Sequence, residues 1–215
     1  EEQRLLLIHE LNHRVKNVFA LADAMVAMTA KSATGVDHFS AAVRGRLRAL
    51  ALAHDLVRPK TNSATQDVSD AAVPLRQIMV DILAPYDGEA SSEKITFVGA
   101  DDIRVPSAHI TGIALILHEL ATNAAKYGAL SSDQGHLVIS CRHFDSVQIT
   151  WSERGGPAKS VSNHTGFGST LIKRTVGNLN VRITYEWRND GGDIVIDMPF
   201  CPLRVCLVFI KTLSG

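Results

Sequence analysis

The first 31 residues contain neither glycine nor proline, the two residues that most readily interrupt a helix. The stretch is rich in Leu, Ala and Met, which predicts one long helix over residues 1–31. At about 100° per residue, Leu7, Leu11, Val18, Leu21 and Met25 gather on one side. Ile8, Val15, Phe19, Ala22 and Val26 broaden that side, and His9, His13, Lys16 and Asn17 share the opposite one. A turn containing Gly35 spans residues 32–37, and a second amphipathic run over 38–57 carries Phe39, Val43, Leu47, Leu50 and Val57. Two long helices joined by a short turn make an antiparallel hairpin. Each has more apolar surface than one partner helix covers, so two copies are expected to join as a homodimer through a four-helix bundle.

Residues 58–66 are polar and read as a linker, after which the pattern becomes mixed α/β. A helix is expected over 72–83, with Pro74 in its first turn, then short strands at 95–98 and 103–105. A long helix over 107–127 precedes a hairpin of strands 137–141 and 147–152. A glycine-opened helix is expected over 168–179, then strands 181–187 and 193–198 around a turn at Asp190-Gly191-Gly192. The resulting plan is a helical hairpin over 1–58, a linker over 59–67 and an α/β domain over 68–200. Residues 201–215 form a tail with no place in it.

A chain of 215 residues, 46% of them hydrophobic, can bury a sizeable core. Its 22 basic and 22 acidic residues cancel, which removes electrostatic attraction as an argument for nucleic acid. No apolar run is long enough to span a bilayer. Cys141, Cys201 and Cys206 are scattered and odd in number, so a reducing, cytoplasmic setting is expected rather than a disulfide scaffold. The chain opens inside a helix, and a sensing segment is expected before it.

Three segments carry residue types suited to chemistry. His9-Glu10-Leu11-Asn12-His13 has the H-E-x-x-H spacing of two zinc ligands on successive helical turns. A zinc protease would also need a third ligand, and two solvated histidines on a polar face account for the same pattern. In the helix over 107–127, Ile113, Leu117, Leu120 and Ala124 line one side. Glu119, Thr122, Asn123 and Lys126 are expected on the other, with Tyr127 at its edge. A carboxylate and a carboxamide one turn apart, backed by an ammonium, suit magnesium and phosphate oxygens, although any amphipathic helix can look alike. Downstream lie Arg154-Gly155-Gly156-Pro157 and Gly166-Phe167-Gly168-Ser169. The second opens a helix, whose free N–H groups favour phosphate, but it is neither a Walker loop nor a Rossmann fingerprint.

Taken in order, these segments resemble the HWE family of sensor histidine kinases, bacterial two-component signalling enzymes. The family is named for a His in its asparagine box and a Trp-x-Glu in its first glycine box. Here they are His118, within His118-Glu119-Leu120-Ala121-Thr122-Asn123, and Trp151-Ser152-Glu153. Glu10-Leu11-Asn12-His13-Arg14-Val15-Lys16-Asn17 is similar to the acceptor motif. The resemblance implies that the α/β domain is a two-layer sandwich of the histidine kinase and gyrase-type ATPase fold, binding ATP and Mg2+. It implies autophosphorylation on His13, then transfer to an aspartate of a response regulator receiver domain. Arg14 follows the acceptor where many histidine kinases have an acidic residue, leaving Glu10 as the candidate that orients or deprotonates it.

The resemblance further implies that Asn123 coordinates magnesium and that Glu119 assists by hydrogen bonding or as a base. Glu153 would accept the adenine amino N–H, and Gly155, Gly156, Gly166 and Gly168 would bring backbone to the nucleotide. Lys126, Tyr127 and Ser169 complete the expected binding set, while His118 and Trp151 are expected to be structural. Residues 158–165 are short for an ATP lid. PAS, light-sensing LOV or phytochrome modules often precede such kinases. The alternative, of another class, is a nucleotide-gated dimerisation module without kinase turnover.

Overall fold

The computed structural model describes residues 2–31, 33–57, 72–87, 94–143, 145–157, 181–188 and 191–199. The linker, the helix expected over 168–179 and the tail lie outside the described residues. The chain divides into two compact units, Glu1–Arg48 and Ala49–Gly215.

The first unit is built on helix α1 (Glu2–Ala30) and the opening of α2 (Val36–Val57), which starts two residues before the expected position. Gly35 lies in the turn, and its carbonyl accepts the Phe39 N–H at 3.0 Å. Met25, Met28, Thr29 and Arg46 are buried. The buried guanidinium is matched by a hydroxyl: Arg46 Nη1 donates to Thr29 Oγ1 at 2.9 Å, and Thr29 donates in turn to the Met25 carbonyl. The broad apolar side expected of α1 is not all covered. Phe19 is 70% exposed, and Val15 and Val26 are also exposed.

The second unit contains a five-stranded sheet in the order β2-β4-β5-β7-β6 and a separate two-stranded ribbon of β1 and β3. The strands are β1 (Ala72–Pro74), β2 (Ile95–Val98), β3 (Arg104–Pro106), β4 (His136–His143), β5 (Val147–Arg154), β6 (Arg182–Arg188) and β7 (Gly191–Met198). β2 runs parallel to β4, and every other pairing is antiparallel. Among the described residues, helices α3 (Leu75–Leu83) and α4 (Ser107–Tyr127) also belong to this unit, as does the end of α2 from Ala49. Strand alternation sorts the sheet into two faces. Cross-strand rows Cys141–Ile149–Ile196 and Ile139–Trp151–Ile194 are buried, while Thr150, Ser152 and Val195 between them are half-buried. Ile113, Ile116 and Leu117 of α4 face Ile149, Ile196 and Met198 across one small void. Each such fully buried aliphatic side chain contributes about 1.5–3 kcal/mol. The result is the expected two-layer α/β sandwich.

Three expectations need correction. The helix expected over 72–83 begins only at Leu75, because residues 72–74 pair with Arg104–Pro106 as β1. Arg104 Nη2 also donates to the Ala72 carbonyl at 3.0 Å, and Pro74 stands as an extended N-cap at φ −58°, ψ 129°. Gly191 and Gly192 are strand residues of β7 rather than turn residues, paired with Arg188 and Trp187. A Cβ on Gly192 would lie 2.5 Å from the Trp187 ring, so close ring packing accounts for that glycine. Finally, Glu119 is buried at 4% exposure, because α4 is covered over most of its girth and not on one stripe alone.

Cys141 is a buried free thiol, and burial pushes its pKa up to about 12. Such a thiol is chemically inert near neutral pH.

Candidate functional site

The two motif segments of the second unit meet at the C-terminal end of α4. That helix ends at Tyr127 because Gly128 leaves helical geometry (φ −117°, ψ −155°), its N–H closing the last turn on the Ala124 carbonyl at 3.0 Å. A 3-10 turn, Ala129–Ser131, follows directly. Beneath this corner lies the Glu153 side chain, on the buried face of β5 and 3% exposed. In register, Glu153 stands between Leu137 of β4 and Gly192 of β7.

A carboxylate buried among such neighbours needs donors. Two converge on Glu153. The Ala129 N–H donates to Oε2 at 3.0 Å, and Trp151 Nε1 donates to Oε1 at 3.1 Å. Gly128 is packed so tightly against Glu153 Oε2 that a Cβ there would collide with it. The glycine pair after β5 closes the same corner. Gly155 has φ +70°, a left-handed conformation that other residues reach only with strain. A Cβ on Gly156 would lie 2.9 Å from the Ala129 nitrogen. Thus Gly128-Ala129 and Gly155-Gly156, far apart in sequence, form one corner around one carboxylate.

Arg154, next to Glu153, points to the opposite face and anchors the strand end. Its Nη2 donates to both Asp193 oxygens, at 2.8 and 3.0 Å, and Arg188 Nη2 reaches Asp193 at 2.9 Å. Burial alone would raise the Asp193 pKa. Hydrogen bonds from Ser152 and Arg154, with the charges of Arg154 and Arg188, outweigh it and hold the carboxyl below its usual range.

The sequence carried no sign of the contact made by His118. Its Nδ1 lies 3.1 Å from the Tyr86 hydroxyl, which lies 3.1 Å from Thr122 Oγ1. The Tyr86 and His118 rings meet at a tilt of 57° with centroids 6.1 Å apart. Tyr86 closes a 3-10 turn, Ala84–Tyr86, that directly follows α3, so His118 ties that turn to α4 one turn before Asn123. Trp151 is fully buried, as expected of a core residue, and its indole N–H also reaches Glu153.

Asn123, Lys126 and Tyr127 are exposed on α4, Tyr127 at 66%. The Asn123 side chain has no hydrogen-bond partner among the described residues. Its carboxamide oxygen is a hard, neutral ligand on an open face and fits a Mg2+ ion that keeps most of its water. Glu119, one turn earlier, is buried, so the expected polar cluster is divided between an interior carboxylate and an exposed amide.

Gly166, Gly168 and Ser169, with the expected lid over 158–165, lie outside the described residues, as do the side chains of Glu10 and His13. The α1 backbone is helical through both. His9, Lys16 and Asn17, which helical phase places on the His13 face, are exposed. Among the described residues, no three His, Cys, Asp or Glu side chains gather as a metal site. No helix among them is long and apolar enough to cross a membrane.

Residues 10–101 match the model of the family described as HWE histidine kinase. The chain is 32% identical over 194 residues to blue-light-activated histidine kinase 1 of Erythrobacter litoralis, covering 88% of this chain and 52% of that protein. It is 33% identical over 204 residues to a blue-light-activated histidine kinase of Rhizobium johnstonii, covering 92% and 54% respectively. It therefore spans about half the length of these curated relatives. Among solved structures, the histidine kinase domain of a blue-light activated histidine kinase from Erythrobacter litoralis superposes with a TM-score of 0.57 at 17% identity. That match covers 84% of this chain and 95% of the domain, a likeness of fold.

Proposed function

From the match of residues 10–101 to the HWE histidine kinase model, we propose that the chain is the transmitter core of a sensor histidine kinase of that family. It uses ATP to phosphorylate His13 and passes the phosphoryl group to an aspartate of a response regulator. Residues 1–58 serve as the phosphoacceptor hairpin, residues 59–67 as linker and residues 68–200 as the nucleotide domain. The observation that carries this reading is the corner at the end of α4. It gathers Glu153, Gly128-Ala129 and Gly155-Gly156 around one buried carboxylate, next to the helix face bearing Asn123 and Lys126.

In this reading Glu153 accepts the amino N–H of adenine, and the glycine corner lets backbone approach the purine. Asn123 holds Mg2+, which supplies positive charge against the phosphates. Lys126 adds an ammonium on the same exposed face. A neutral imidazole nitrogen of His13 attacks the γ-phosphorus in line; an N–P bond forms as the bond to the ADP oxygen breaks. The proton lost from the imidazole passes to Glu10 or to solvent, and Glu119 supports the Asn123 turn from the interior. The phosphoryl group then moves to the carboxylate of the regulator. This chemistry is assigned to the cytoplasm, a reading that the use of ATP and the buried free thiol of Cys141 support.

Incubation with γ-labelled ATP and Mg2+ tests the reading. The protein should retain label that is lost in acid and stable in base, the signature of phosphohistidine. ATP binding with no label at all would favour an interaction module without turnover, and acid-stable label would put the phosphoryl group on a residue other than histidine.

The exposed apolar residues of α1 support the homodimer. Phe19→Glu places a charge on that stripe without disturbing the buried Met25 and Met28. Sedimentation at micromolar concentration should show a dimer for the natural sequence and a helical monomer for the variant. A natural-sequence monomer that still takes up label would remove the dimer and leave the kinase reading standing.

A further inference from the structure

We propose that Trp151 is a positioning residue for nucleotide recognition: its indole N–H holds the Glu153 carboxylate in the orientation that reads the purine 6-amino group. The proposal rests on the reading of Glu153 as the adenine contact. Residues two apart on a strand project from the same face, roughly 6.5–7 Å apart along it. Trp151 and Glu153 stand in this relation on β5, with Ser152 between them turned to the other face. A tryptophan ring reaching along the strand can then meet a glutamate. Here Nε1 and Oε1 are 3.1 Å apart.

Trp151 is a fixed donor. It is 0% exposed and sits between Ile139 and Ile194 in the cross-strand row, so its ring has one place to lie. A buried indole N–H needs an acceptor, and Glu153 is the one it reaches. The Ala129 N–H holds the other oxygen at 3.0 Å from a backbone position at the end of α4. Two donors from two different elements thereby fix both oxygens of a side chain that otherwise has three free torsions. A carboxylate has about four acceptor positions, and these two bonds set the plane in which the others point. Recognition of an amino group depends on that plane, because hydrogen bonds weaken steeply away from linearity.

The pair also has a cost if broken from either side. Without Trp151 the carboxylate keeps its charge and loses the donor that orients Oε1. Without Glu153 the indole N–H is left buried without this acceptor. The Trp-x-Glu spacing is thus a two-residue strand repeat that brings donor and acceptor to one face.

Titration calorimetry with ATP and with purine riboside 5′-triphosphate, which lacks the 6-amino group, tests this. The natural sequence should prefer ATP by about tenfold. Trp151→Phe keeps an aromatic ring and removes the N–H; it should reduce that preference to below about threefold while affinity for the desamino analogue stays within about twofold. A purely structural role for Trp151 would weaken both nucleotides in parallel, and that result overturns the proposal. An undiminished preference in the variant also overturns it. If the natural sequence itself shows no preference, the Glu153 reading fails first and the positioning role goes with it. Should Trp151→Phe not fold, benzothienylalanine at position 151 keeps the shape of indole with sulfur in place of N–H, and the same outcomes apply.

Discussion

His13→Ala is expected to abolish autophosphorylation, with retained label falling by at least about a hundredfold, or about 2.7 kcal/mol at 1.36 kcal/mol per decade. Phosphoryl transfer needs a nucleophile that a separate nucleotide domain can approach. His9, Lys16 and Asn17 surround the His13 position on α1 and are exposed, so this helix face is open to an incoming phosphate. Alanine preserves the helix and has the highest intrinsic helix propensity, so the hairpin should keep its structure. ATP affinity should not change, because Glu153 and the glycine corner lie in the other unit. The measurement is acid-labile label per chain alongside ATP affinity. Label persisting in the variant would move the acceptor elsewhere, first to His9, one turn away on the same exposed face.

Asn123→Asp is expected to lower autophosphorylation by well over tenfold. The change leaves the size of the side chain nearly untouched. It replaces a neutral oxygen ligand with an anion on the open face of α4, beside the expected triphosphate. Misplaced charge at such a site costs more than about 1.4 kcal/mol in the transition state. The exposure of Asn123 makes the result interpretable. It is not part of the packed interior, so thermal stability should hold while rate falls. Burial separates it from Glu119, where substitution would disturb folding as well as chemistry. Near-normal labelling by a folded Asn123→Asp variant would remove this helix from the nucleotide site.

Much of this architecture was legible without coordinates, and the legible parts share a cause. Helix α4 spans the expected residues, since its apolar periodicity and Gly128 stop are local properties of the chain. Strands β4 and β5 were expected from alternation alone, and the structure extends β4 by one residue at its start and two at its end, and β5 by two at its end. The motif residues were also legible, because a kinase-like order of short signatures survives as residue identity. Other features depend on partners distant in sequence. Residues 72–74 have a helical pattern, yet pairing with Arg104–Pro106 makes them a strand. Gly191 and Gly192 look like turn residues and are strand residues, with Gly192 close against the Trp187 ring. Glu119 has the helical phase of a surface residue, but packing covers it. Tyr86 gave no signal of its bond to His118, 32 residues away. The same holds for the Ala129 N–H, which reaches Glu153 across 24 residues. By itself the sequence determined the helices, the alternating strands and the chemical groups available, because these follow from neighbours within a few residues. Only the tertiary structure decided which carboxylate is held, by which donors and at which corner, because buried polar groups take their partners from whatever packing brings within about 3 Å.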